Sequence, residues 1–76
     1  MGGYVTFDYA NRAEANVTLA IYDALGKEVA RPVDNVHHDA GAFEVSTNVS
    51  SLANGTYTYR LSSGKFVKSG QFVIQR

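Results

Sequence analysis

The chain predicts an all-β domain, an Ig-like or fibronectin III-like β-sandwich of about seven antiparallel strands, and three observations carry that expectation. Short runs in which apolar and polar residues alternate recur along the length, each bounded by turn residues. No window carries the 3.6-residue periodicity of an amphipathic helix. Near the C-terminal end, Leu52-Ala53-Asn54-Gly55 leads into Thr56-Tyr57-Thr58-Tyr59-Arg60-Leu61. There Tyr57, Tyr59 and Leu61 share one strand face and Thr56, Thr58 and Arg60 the other, after a dipeptide that tolerates positive φ. A tyrosine at that place in an Ig-like sandwich returns its hydroxyl to backbone a few residues upstream and locks the crossing between sheets.

The elements follow in order. Val5, Phe7 and Tyr9 alternate with Tyr4, Thr6 and Asp8 in a first strand, and Asn11 to Ala15 makes a polar connection. Val17, Leu19 and Ile21 alternate with Thr18, Ala20 and Tyr22 in the strongest strand. Asp23-Ala24-Leu25-Gly26 is a tight turn delivering a shorter strand across Lys27 to Arg31, so the two form a hairpin. Pro32, the one proline, has no N–H to give a ladder and must end that strand or sit on an edge. Val33 to Gly41 mixes two Asp, two His and a Gly, which suits a loop or short edge segment. Alternation resumes from Ala42 to Thr47, with Phe43, Val45 and Thr47 on one side. Val49 to Ala53 reads as a short turn of helix crossing between sheets, with Leu52 plugging the core. After the Tyr57 strand, Ser62-Ser63-Gly64 is a hairpin turn into a final strand from Lys65 to Gln75, in which Gly70 suits a bulge or a close backbone approach.

Composition narrows the function. Seventy-six residues make one domain at the small end of what a single core stabilises. With no cysteine, five Tyr and four Phe must supply much of that core. Seven basic and seven acidic residues are scattered, which gives no electrostatic footprint for nucleic acid or anionic lipid. No apolar run approaches the roughly 20 residues of a membrane span. Residues 1–3, Met1-Gly2-Gly3, lead straight into a strand pattern, and residues 4–76 read as a single excised domain.

Candidate chemistry is sparse. His37-His38 would point to opposite faces of a strand, so the pair is poorly placed to chelate one ion, and a solvated polar loop is the expectation even with Asp34 and Asp39 nearby. No Gly-x-Ser-x-Gly elbow and no His-Glu-x-x-His helix occurs. The carboxylates of Asp8, Glu14, Asp23, Glu28, Asp34, Asp39 and Glu44 fall mostly in turns or at outward strand positions. The chain is read as a non-enzyme with no catalytic residue, cofactor or metal.

With the elements in order, the chain resembles the C-terminal sorting domain of the type IX secretion system (Por secretion), of the kind called type A. Asn16 to Val29 resembles that family's apolar strand, its Tyr-Asp-x-x-Gly turn at Tyr22 to Gly26, and the Glu-Val after it. Ala40 to Val45, with Gly41, resembles the middle Gly-x-aromatic strand. Leu52, Gly55 and Tyr57, with Arg60-Leu61, resemble the Leu-x-x-Gly-x-Tyr segment, and Lys68 to Arg76 resembles the terminal strand ending on a basic residue. Members open with an Asn-Pro pair where Met1-Gly2-Gly3 stands here. The resemblance implies a non-catalytic sorting signal at the C-terminal end of a larger exported protein, located at the outer-membrane surface or outside the cell. It also implies an upstream passenger domain, an outer-membrane receptor of the secretion machinery and a sortase as partners. Recognition would fall on the terminal strand by strand addition, with Phe66, Phe72 and Ile74 as apolar contacts and Lys65, Lys68 and Arg76 as charged ones. Three Asn-x-Ser/Thr sites, at Asn16, Asn48 and Asn54, would be coincidental in such a protein.

Two other roles fit a sandwich equally well. An aromatic strip of Tyr4, Tyr22, Phe66 and Phe72 would suit an accessory carbohydrate-binding or adhesion module of an extracellular hydrolase. A plain spacer needs no ligand at all. The open terminal strand also makes self-pairing through Lys65 to Gln75 available, so the oligomeric state stays open.

Overall fold

The computed structural model describes residues 3–76. Six strands carry the fold: β1 (Tyr4–Asn11), β2 (Ala15–Tyr22), β3 (Glu28–His38), β4 (Gly41–Asn48), β5 (Gly55–Ser63) and β6 (Phe66–Ile74). All pairings are antiparallel. β1 and β4 form a two-stranded sheet, and the other four form a sheet in the order β3-β2-β5-β6. The all-β sandwich expectation is met with six strands instead of seven, and the smaller sheet has only two of them.

The two layers close on alternating residues. Val5, Phe7 and Tyr9 from β1, with Val45 from β4, pack onto a core in which Val17, Leu19 and Ile21 of β2 are fully buried. Burying each of these aliphatic side chains contributes about 1.5–3 kcal/mol. Because β2 is flanked by β3 and β5, it lies inside the larger sheet, and even Ala20 on its outer face is buried. Tyr59 stands directly opposite Gly70, and its ring lies so close that a Cβ on residue 70 would come within 2.6–2.7 Å of ring and hydroxyl atoms. Gly70 is therefore a close approach and no bulge, since β5 and β6 stay in register throughout.

The turn at Asp23 forms as its residues dictate. The Asp23 carboxylate accepts from the N–H groups of Leu25 and Lys27, both at 2.9 Å, while Gly26 donates to the Asp23 carbonyl at 3.0 Å with φ at 85°. Only glycine takes that conformation at no steric cost.

Three local expectations are corrected. Of the loop or short edge segment expected over Val33 to Gly41, the edge alternative is the one found, but it is not short: β3 runs on to His38 as an edge strand of eleven residues. Its pairs slip from Val17–Val36 to Leu19–Val33, Ile21–Ala30 and Tyr22–Glu28, so five steps on β2 face eight on β3. Those bulges scramble the period-2 pattern by which a strand is recognised. Pro32 sits within this strand at the sheet edge, one of the two places allowed for it. Val49 to Ala53 does cross between the sheets, yet as a turn closed by the Leu52 N–H on the Val49 carbonyl at 3.0 Å. A segment this short gains too few hydrogen bonds to repay helix nucleation. The last hairpin turns at Gly64-Lys65, one residue later than expected, because Ser63 still pairs with Phe66.

Candidate functional site

The candidate site is the terminal strand β6 and what it borders. Among the described residues β6 pairs with β5 alone, in nine consecutive pairs from Ser63–Phe66 to Gly55–Ile74, and its other side is free of them. This places the terminal strand at a sheet edge, where unpaired backbone groups are available to another strand. Ile74 and Phe72 anchor it: Ile74 is buried with Ile21, Val49 and Tyr57, and Phe72 packs against Phe7 and Tyr57 with ring centroids 5.9 and 5.7 Å apart. Lys65, Phe66 and Lys68 are exposed. Val67 and Val73 point away from the sandwich, 51% and 64% exposed, so the edge carries apolar surface on its outer face as well.

Beyond β6, Arg76 turns back onto the crossover. Its guanidinium donates to the carbonyls of Leu52 at 2.6 Å and Val49 at 2.7 Å, and its backbone N–H donates to the Asn54 side chain at 3.1 Å. The Tyr57 hydroxyl donates to the Ala53 carbonyl at 2.7 Å, as the sheet-corner reading requires. One tyrosine and one arginine thus satisfy the carbonyls of Leu52 and Ala53 and add a second donor to that of Val49, which also accepts from the Leu52 N–H. The tyrosine was legible from the corner pattern. The role of Arg76 was not, because nothing local links residue 76 to residues 49 and 52.

The remaining motif residues lie where their types require. Gly41 opens β4 opposite Asn11 and Gly55 opens β5 opposite Ile74. Tyr22 closes β2 opposite Thr58, and Leu52 packs half-buried against the cluster around Ile21. The aromatic strip does not assemble: Val5, next to Tyr4, packs with Ile74's cluster, whereas Phe66 sits at the opposite end of β6 beside Asn11 and Arg12.

At the far end of β3, His38 is a packing residue. Its ring stacks on Phe43 at 4.5 Å and its Nδ1 lies 2.8 Å from the Tyr9 hydroxyl, tying β3 to the smaller sheet. Burial pushes the Tyr9 hydroxyl's pKa above its ordinary value. His37 faces out toward Glu14, 3.4 Å away, and Asp39, 3.9 Å away. Among the described residues, no group of three or more His, Cys, Asp or Glu side chains is placed to hold a metal ion, and no helix is long and apolar enough to cross a membrane.

A comparison with protein families matches residues 2–75 to the secretion system C-terminal sorting domain. The chain belongs to that family. No curated protein and no solved structure matches it. The sorting domain is thereby a C-terminal signal of type IX secretion, a sorting family and not a catalytic one. Membership implies export to a surface or extracellular location, with a secretion machinery and an upstream passenger as its counterparts.

Proposed function

We propose that the sorting domain carries its passenger across the outer membrane by presenting β6 as an open edge, to which a receptor of the export machinery adds a strand. The carrying observation is the nine-pair register of β6 on β5 with its other side free. A straight edge with unpaired N–H and C=O groups supplies main-chain affinity, and flanking side chains supply selectivity. Lys65, Phe66 and Lys68 are the contacts assigned to the receptor. Phe72 and Ile74 hold the strand flat from beneath, and Arg76 fastens its end to the crossing turn. The role requires no catalytic group, and a sortase would act on the chain after export.

The test is a fusion. Residues 3–76 are appended to a periplasm-exported fluorescent reporter in a bacterium with a type IX system, and surface or medium fluorescence is measured with the system intact and disabled. System-dependent export is expected, together with a sharp drop for Lys65→Glu/Lys68→Glu at unchanged thermal stability. Periplasmic retention of a folded fusion would overturn the sorting role for this domain. Full export of the charge-reversed variant would overturn the assignment to β6 alone.

A further inference from the structure

The smaller sheet has two strands where the larger has four, and the shortfall is on one side. β1 pairs with β4 along eight residues, and among the described residues no strand pairs with its other edge. Between that edge and the inner face of β5 and β6 runs an open seam of three adjoining cavities of about 290, 420 and 290 Å³. In the middle of the molecule it is lined by half-buried Phe7, Tyr59 and Phe72, side chains that a complete sandwich would cover, with buried Leu19 and Leu61 at its floor. No β4 residue lines these cavities, so the gap lies beside β1. Its long axis follows β1, whose eight residues span about 27 Å at strand rise.

Charge distinguishes the two ends. Around the C-terminal end of β1 the seam is bordered by Arg12, Lys65 and Lys68. Among the described residues, the ion pairs are those of Arg31 and His37, and these three cations take part in none. Glu14, the carboxylate in that mouth, faces His37. Asp8 is the carboxylate farther along the edge. An occupant must therefore supply three things: backbone groups for the free edge of β1, apolar side chains at every second position, and negative charge at one end.

We infer that the seam accepts an extended polypeptide strand from a partner, pairing antiparallel with β1 as a third strand of the smaller sheet. Alternate apolar side chains of the added strand lie over Phe7, Tyr59 and Phe72. Because an antiparallel strand begins beside Asn11, its acidic residues belong in its N-terminal half, next to Arg12, Lys65 and Lys68. The seam lies over the inner face of β6 and shares Lys65 and Lys68 with the export proposal, but its added strand pairs with β1 and not with the free edge of β6, so peptide binding there does not depend on that proposal.

The experiment selects eight-residue peptides, the length of β1, from a random display library against the folded domain. The best-enriched peptide then goes into binding and amide hydrogen-exchange measurements. Expected are sequences that alternate apolar and polar residues with Asp or Glu in the first half, and slowed exchange at β1 amides. Arg12→Glu/Lys68→Glu, both at exposed positions, should weaken binding about tenfold, the equivalent of about 1.4 kcal/mol. The inference is overturned by absence of enrichment, by selected peptides without alternation or acidity, or by affinity that ignores the charge reversal. Protection appearing on β3 or on the outer flank of β6, or a second copy of the domain already protecting β1 in the absence of peptide, overturns it as well.

Discussion

The two edges of the four-stranded sheet are built on opposite plans. β3 carries three extra residues against β2, a proline within its span, and Asn35 at a φ of 53°. The Asn35 N–H turns to the Thr18 hydroxyl at 3.1 Å, and Arg31 lies across Glu28 and Asp34 at 2.6 and 3.3 Å. Hydrogen bonding by Glu28, then Asp34, raises the Arg31 pKa further. Each device keeps another strand from pairing there. β6 has none of them: no register slip, no proline, and Lys68 as the one charge in its span. The fold blocks one edge of this sheet and leaves the other straight, and the export proposal rests on that contrast.

That contrast can be broken most forcefully at its anchors. Ile74→Ala, which empties a buried site beneath β6, should cost about 2–5 kcal/mol. Val36→Ala on half-exposed β3 should stay within about 0.5–1 kcal/mol. Denaturant unfolding of both variants checks this, and equal losses would mean that the two edges are held alike.

Next in size is the backbone. Gly70→Ala drives a methyl group into the Tyr59 ring, which already packs on Phe7 at 5.1 Å, and should cost about 1–3 kcal/mol. On β3, Asn35→Gly should change stability by at most a few tenths, about 0.5 kcal/mol, since φ there is positive. A thermal melt of Gly70→Ala matching the parent protein would remove the close approach from the account of β6.

The smallest effect concerns the tie between β3 and the other sheet. Folding raises the Tyr9 pKa, so the unfolded chain loses that proton first. The stability tied to the neutral hydroxyl is complete below about pH 10, the ordinary tyrosine value, and is lost as pH rises through the higher folded value. The melting temperature should fall over that range, and Tyr9→Phe should flatten the fall. An unchanged slope in Tyr9→Phe would assign the alkaline loss elsewhere.

The legibility of these regions follows the same division. β1, β2, β4 and β5 were readable because large apolar residues recur at every second position on the inward face of each, and Tyr57 because its corner chemistry spans only four residues to Ala53. β3 was half lost because its bulges shift the period each time they occur. The last strand was readable over the residues where β6 runs, yet the division of labour within it was hidden. Lys68 and Arg76 look alike as basic residues, and only the fold separates the one that borders an open seam from the one that holds the crossing turn.

By itself, then, the order of residues determined the class of fold, the turn at Asp23, the inward faces of most strands, and membership in a sorting family. These depend on side-chain period and turn chemistry, which act over a few neighbours. Tertiary structure alone decided that the smaller sheet stops at two strands, that β3 and β6 are the outer strands of the larger, and that Arg76 reaches residues 49 and 52. An edge exists only by the absence of a neighbour, and a seam only between segments brought together from far apart in the chain. Neither is a property that a local pattern of residues can carry.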